Sequence, residues 1–101
     1  DEEGFGPVLT VHVYDAWNDA LGMADATRYG LQAGIFTDSM ARVAEALERL
    51  EVGGLVVNDT PSVRVDAMPY GGARDSGLGR EGVRHAIEEL TQPKMLVVRR
   101  R

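Results

Sequence analysis

The sequence predicts an α/β domain with a mainly parallel sheet, in the order β-α-β-α-β-loop-α-β. Three observations predict it. Runs rich in β-branched residues alternate with stretches of helical period, the alternation that places helices on a parallel sheet. The run Leu55–Asn58 (LVVN) is short and apolar, like a strand buried on both faces. With 101 residues, the chain has room for one modest core.

Each element follows in turn. Val8–Tyr14 (VLTVHVY) reads as a strand. Asp15 is a plausible N-cap for a helix over about residues 16–28, with Gly30 as its stop. Leu31–Thr37 (LQAGIFT) reads as a second strand. Asp38 or Ser39 caps the clearest helix, whose apolar stripe is Met40, Val43, Ala44, Leu47 and Leu50. Gly53 and Gly54 end it, and Leu55–Asn58 is the third strand. Residues 59–79 hold three Asp, two Pro and four Gly without sustained period, a loop long enough to be suspected of function. Residues 80–90 form a third helix with Val83, Ala86, Ile87 and Leu90 on one face. Lys94–Val98 (KMLVV) is a last strand, followed by three arginines. No repeat, low-complexity segment or linker divides the chain.

Composition narrows the classes. The net charge is −5, which argues against nucleic acid as a partner. With no Cys, disulfides, thiolate metal sites and a cysteine nucleophile are excluded within this chain. No apolar run approaches the ~20 residues of a membrane span, and the acidic start DEEGFGPV is unlike a signal peptide. The default location is cytoplasmic, with no membrane partner.

The chemistry-bearing candidates are few. GLGREG at 77–82 has the G-x-G-x-x-G spacing of a dinucleotide loop. That fingerprint needs an apolar strand ending at its first Gly and an acidic residue about 20 positions on. Here loop residues precede it, and Arg99 and Arg100 stand at that distance. Those arginines could serve a 2′-phosphate, but a sharp turn packed tightly into a helix start is the better reading. A Walker loop fails, because Leu78 follows Gly77. His12 reads as a packed or edge residue of its strand. His85 has no second His or Cys at ligand spacing, so no metal site is expected. Glu2 and Glu3 are adjacent, and on an extended chain point apart. Glu88–Glu89 and the terminal arginines read as solvated. On these grounds alone the chain is a soluble α/β domain or part of one.

Five stretches, in order, resemble the C-terminal part of an NAD(P)-dependent aldehyde dehydrogenase: EEGFGPV at 2–8, YGLQAGIFT at 29–37, GGLVVND at 53–59, PYGGARDSGLGREG at 69–82, and the closing TQPKMLVV. The fourth is long and highly specific. The resemblance implies part of that family's catalytic domain over residues 1–93. It also implies an oligomerisation strand and basic terminus over 94–101, in a homo-oligomer (dimer or tetramer). The family binds NAD or NADP mainly on an N-terminal domain absent here, and GLGREG becomes a structural turn. Glu3 is implied to bind the hydroxyls of the nicotinamide ribose, and Phe5 to pack against the nicotinamide end. A carboxylate suits a vicinal diol, and an aromatic face suits a flat ring.

The family oxidises an aldehyde to a carboxylic acid through a cysteine thiohemiacetal. By resemblance its Cys, general-base Glu and oxyanion Asn lie upstream of residue 1. The chain therefore has no catalytic residue of its own and is expected to be inactive alone. Tyr70 is implied to wall the substrate funnel. Arg64 resembles an arginine in members that take small anionic or hydroxylated aldehydes, of lactaldehyde and phosphonoacetaldehyde type. A guanidinium can clamp a carboxylate or phosphonate through two bonds; alternatively Arg64 is a surface arginine paired with Asp59 or Asp66. Two departures stand out: Gly4 where the family carries a larger residue, and Arg74 where Lys is common. A reading from another class is a stand-alone, non-enzymatic α/β assembly or binding module.

Overall fold

The computed structural model describes residues 2–100; Asp1 and Arg101, the last of the terminal arginines, lie outside the described residues. The elements are α1 (Trp17–Asp25), β1 (Tyr29–Gly30), β2 (Gln32–Ile35), α2 (Met40–Arg49), β3 (Gly54–Val57), β4 (Ala73–Arg74) and α3 (Val83–Leu90). β2 and β3 pair in parallel, Gln32 opposite Gly54 through Ile35 opposite Val57, with α2 as their crossover. β1 and β4 pair antiparallel, Tyr29 opposite Arg74 and Gly30 opposite Ala73. The expected mainly parallel sheet is thus replaced by two two-stranded sheets, one of each kind.

The parallel pair ends in a sequence-specific clasp. The Asn58 amide N–H continues the ladder to the Ile35 carbonyl at 2.7 Å. Its side chain accepts from Thr37 N–H at 2.8 Å and donates to the Thr37 carbonyl at 3.0 Å. Asn58 takes φ 59°, a left-handed conformation that Asn tolerates better than most residues. The clasp stops the pair and turns the chain into the 59–72 loop.

The core is small. Leu21 of α1 and Ala46 and Leu50 around α2 are buried, with Trp17, Ala33, Ile35, Val52 and Leu55 packed against them. Ser39 caps α2, its hydroxyl accepting from Arg42 N–H at 3.4 Å, as expected of a serine there. The buried face of α2 is Val43, Ala46 and Leu50; Met40, Ala44 and Leu47 of the expected stripe are exposed. α1 has no side-chain cap: Ala16 holds the N-cap position in place of Asp15. It also stops at Asp25, well short of residue 28. Gly30 is no helix stop but a buried strand residue facing the Glu51 carbonyl.

Two expected strands do not form. Residues 2–14 and 91–100 carry no strand and are exposed throughout. A strand exists only through its partner, and no described strand pairs with either run. These two arms account for dimensions of 74 × 33 × 21 Å and a radius of gyration of 18.7 Å, against about 13 Å for a compact domain of this length. α3 begins at Val83, not at residue 80, because Glu81 is held in a bridge to Tyr70. Its apolar face is uncovered within this chain, with Val83, Ile87 and Leu90 exposed.

Candidate functional site

The 59–72 loop folds back over the start of β3. Arg64 and Tyr70 come together there, lining a cavity of about 250 Å³ whose other walls include Gln32, Gly54, Val63 and Met68. The Arg64 guanidinium lies over the Tyr70 ring, 4.8 Å from its centre, a cation–π geometry. Its Nη2 donates to Glu81 Oε2 at 2.9 Å. Asp66, one of the two partners the sequence suggested, stands 4.0 Å from Nε, too far for a hydrogen bond. Asp59 is not among the arginine's ion-pair partners. Glu81 is held by its own backbone as well, exchanging two hydrogen bonds with Tyr70, 3.1 Å and 2.6 Å long. Arg64, Tyr70 and Glu81 therefore close a triangle: ring under guanidinium, guanidinium on carboxylate, carboxylate's backbone on the ring's backbone.

Glu3 lies elsewhere. It lines a second cavity of about 350 Å³ with Thr27, Tyr29, Gln32 and Ser76 among its other walls. A carboxylate beside hydroxyl side chains fits a sugar diol, which both donates and accepts. Phe5 is 95% exposed and belongs to the arm, not to either cavity. Gln32 is the shared wall: it lines both cavities, and its amide donates to the Val63 carbonyl at 3.4 Å. Gln32 and Glu81 were missed in the sequence. A lone amide in an otherwise apolar strand was the signal for the first; the second was read only as part of a turn.

Arg74 is far more consequential than a Lys-like surface charge. Its guanidinium reaches Glu51 at 2.9 Å, the Asp25 carboxylate at 2.8 Å, and the Asp25 and Thr27 carbonyls at 2.8 and 2.6 Å. It so holds the C-terminal end of α1, where free carbonyls favour a cation. The Glu51 backbone N–H and then the Arg74 guanidinium hold the Asp25 carboxyl below its ordinary range. The same bonds to Asp25 and Glu51 raise Arg74 further. Beside it Arg28 pairs with Asp75, which raises the guanidinium in turn.

The GLGREG segment is a turn whose polar groups serve the chain itself. Glu89 of α3 accepts from the Arg80 backbone N–H at 2.9 Å. Arg80 donates to the Gly72 and Gly79 carbonyls at 2.9 and 2.7 Å. Gly79 has φ 71°, and a Cβ there would meet the Glu89 carboxylate at 2.6 Å. A phosphate would face that carboxylate where a dinucleotide loop offers free N–H groups. His12 sits exposed on the arm, and His85 lies 4.0 Å from Glu88. Among the described residues no three His, Asp or Glu side chains form a metal-binding group, and no helix is long and apolar enough to cross a membrane.

Residues 1–96 match the profile of the aldehyde dehydrogenase family. The chain belongs to the aldehyde dehydrogenase family. Aspartate-semialdehyde dehydrogenase 1 of Pseudomonas canavaninivorans is 45% identical over 94 residues, covering 93% of this chain and 20% of that protein. Aldehyde dehydrogenase 21 from Physcomitrella patens, solved in complex with the reaction product succinate, superposes with TM-score 0.90 at 46% identity, over 97% of this chain and 20% of that one. A glyceraldehyde-3-phosphate dehydrogenase from Methanocaldococcus jannaschii, complexed with NADP, gives TM-score 0.72 at 44% identity, over 74% and 16%. The chain spans about a fifth of the length of these relatives.

Proposed function

We propose that the protein carrying this chain oxidises an aldehyde with a second, anionic or hydroxylated group to the carboxylic acid, with NAD+ or NADP+. The thiohemiacetal cysteine is supplied by residues outside this chain, which serves as the C-terminal part of the catalytic domain. The observation that carries the reading is the cavity over β3. The 59–72 loop folds so that one guanidinium and one phenol ring share a wall. The family match supplies the reaction. Two of the relatives support the acid group: one is named for aspartate semialdehyde, the other was solved with succinate.

Within that function the roles divide by position. Arg64 binds the anionic group through charged hydrogen bonds, and Tyr70 fixes the guanidinium and walls the cavity. Glu3 accepts from the ribose hydroxyls of the cofactor, with Thr27 and Ser76 completing the polar rim of its cavity. Phe5 covers the nicotinamide end once the arm is ordered against the rest of the protein. The bound nicotinamide supplies a hydride acceptor; this chain's part is to hold ribose and substrate in place. Residues 94–98 serve the subunit contact.

The test is an aldehyde panel on the intact protein with both cofactors, wild type against Arg64→Ala. The substitution should raise KM for an anionic aldehyde roughly 10- to 100-fold over that for a neutral one of similar size, the equivalent of about 1.5–3 kcal/mol of charged hydrogen bonding. Equal losses on both would make Arg64 a structural residue and remove the anionic-substrate reading.

A further inference from the structure

We infer that Glu81 is a specificity-determining residue: the resident counter-anion of Arg64, which weakens the cavity's hold on an anionic ligand. The inference rests on the reading of Arg64 as the anion site and adds a residue to it. Arg64 brings one positive charge to a cavity otherwise walled mainly by apolar and glycine residues. That charge is not free. Glu81 Oε2 stands 2.9 Å from Nη2, so the pair presents almost no net charge to a ligand. Asp66, 4.0 Å from Nε and 99% exposed, is screened by solvent and adds little.

The pairing is built in rather than incidental. The two backbone hydrogen bonds between Tyr70 and Glu81 fix the carboxylate's root beside the ring that carries the guanidinium. The Arg64–Glu81 bond occupies one edge of the fork. Nη1 makes no hydrogen bond among the described residues. A carboxylate or sulfonate entering the cavity can use Nη1, but must do so beside the Glu81 charge on Nη2. Like charges a few Å apart repel appreciably even in a partly solvated setting. Glu81 thus keeps Arg64 oriented while making the bound anion easier to release.

Succinate binding to the intact protein, measured by calorimetry, tests this, with uncharged succinamide as control. Glu81→Gln keeps an acceptor for Nη2 and removes the charge. It should tighten succinate about 3- to 10-fold and leave succinamide unchanged. Glu81→Ala, which removes the same charge, should move succinate in the same direction. A gain in affinity cannot come from partial misfolding, which only weakens binding. Arg64→Ala should weaken succinate binding at least about 10-fold, and Glu81→Gln in that background should not restore the wild-type affinity. If Arg64→Ala weakens succinate but Glu81→Gln leaves it equal or weaker, the counter-anion role is wrong and the anion site stands. If Arg64→Ala leaves succinate binding unchanged, the anion-site reading itself fails and the role of Glu81 falls with it.

Discussion

Arg74 shows how much a single side chain can hold. It takes a left-handed φ of 52° within β4 and commits its guanidinium to two carboxylates and two carbonyls from three residues, Asp25, Thr27 and Glu51. A lysine has the charge but only a compact ammonium, without the planar fork. Arg74→Lys in the intact protein should lower the thermal midpoint by about 2 °C, read by differential scanning calorimetry; an unchanged midpoint would mean the fork's extra bonds are idle. The cluster also sets a pH dependence. The Asp25 carboxyl titrates below its ordinary value of 3.8 in the folded protein, so the unfolded chain takes up its proton first as pH falls. Its contribution is then fully present above about pH 5 and is lost as pH drops through the folded value. Asp25→Asn should flatten the wild-type decline in urea midpoint below pH 4; parallel curves would assign the acid sensitivity to other groups.

At the scale of elements, the sheets hold together through close backbone approaches that only glycine permits. A Cβ on Gly53 would lie 1.6 Å from the Gly71 carbonyl oxygen, where the β2–β3 unit meets the loop that leads into β4. Gly53→Ala should therefore destabilise by about 3 kcal/mol or more, since the obstruction is backbone. Gly4→Ala, with nothing within 4 Å of its Cβ, is the control and should be neutral. Chemical denaturation of the two variants separates them, and equal midpoints would contradict the packing. The same scale explains the short helices. α1 ends where Arg74 takes its carbonyls, and α3 starts late because Glu81 is committed to Tyr70.

At the scale of the whole molecule, the dominant fact is uncovered apolar surface. Val8, Leu9, Val11 and Val13 on one arm, and Met95 to Val98 on the other, are all at least 70% exposed. Runs of this kind are stable only when their backbone and apolar faces are paired. For 94–98 the proposed partner is another subunit. Deleting residues 94–101 from the intact protein should lower its mass in light scattering before circular dichroism changes; an unchanged mass would leave the segment as part of its own subunit's core.

The sequence by itself placed the three helices in outline, strands within residues 31–37 and near 55–58, and a turn at GLGREG. These rest on local signals: apolar period, a serine cap, a short double-faced run, glycines at turns. It also carried the family, through five motifs in order. Tertiary structure alone decided which residues meet. The Arg64–Glu81 pair spans 17 positions and the Arg74–Asp25 pair 49, and no period or spacing encodes a contact between charges on separate loops. It decided, too, that residues 8–14 and 94–98 form no strands here. Their composition is that of strands, but a strand is a relation between two segments, and within this chain the second segment does not lie beside them.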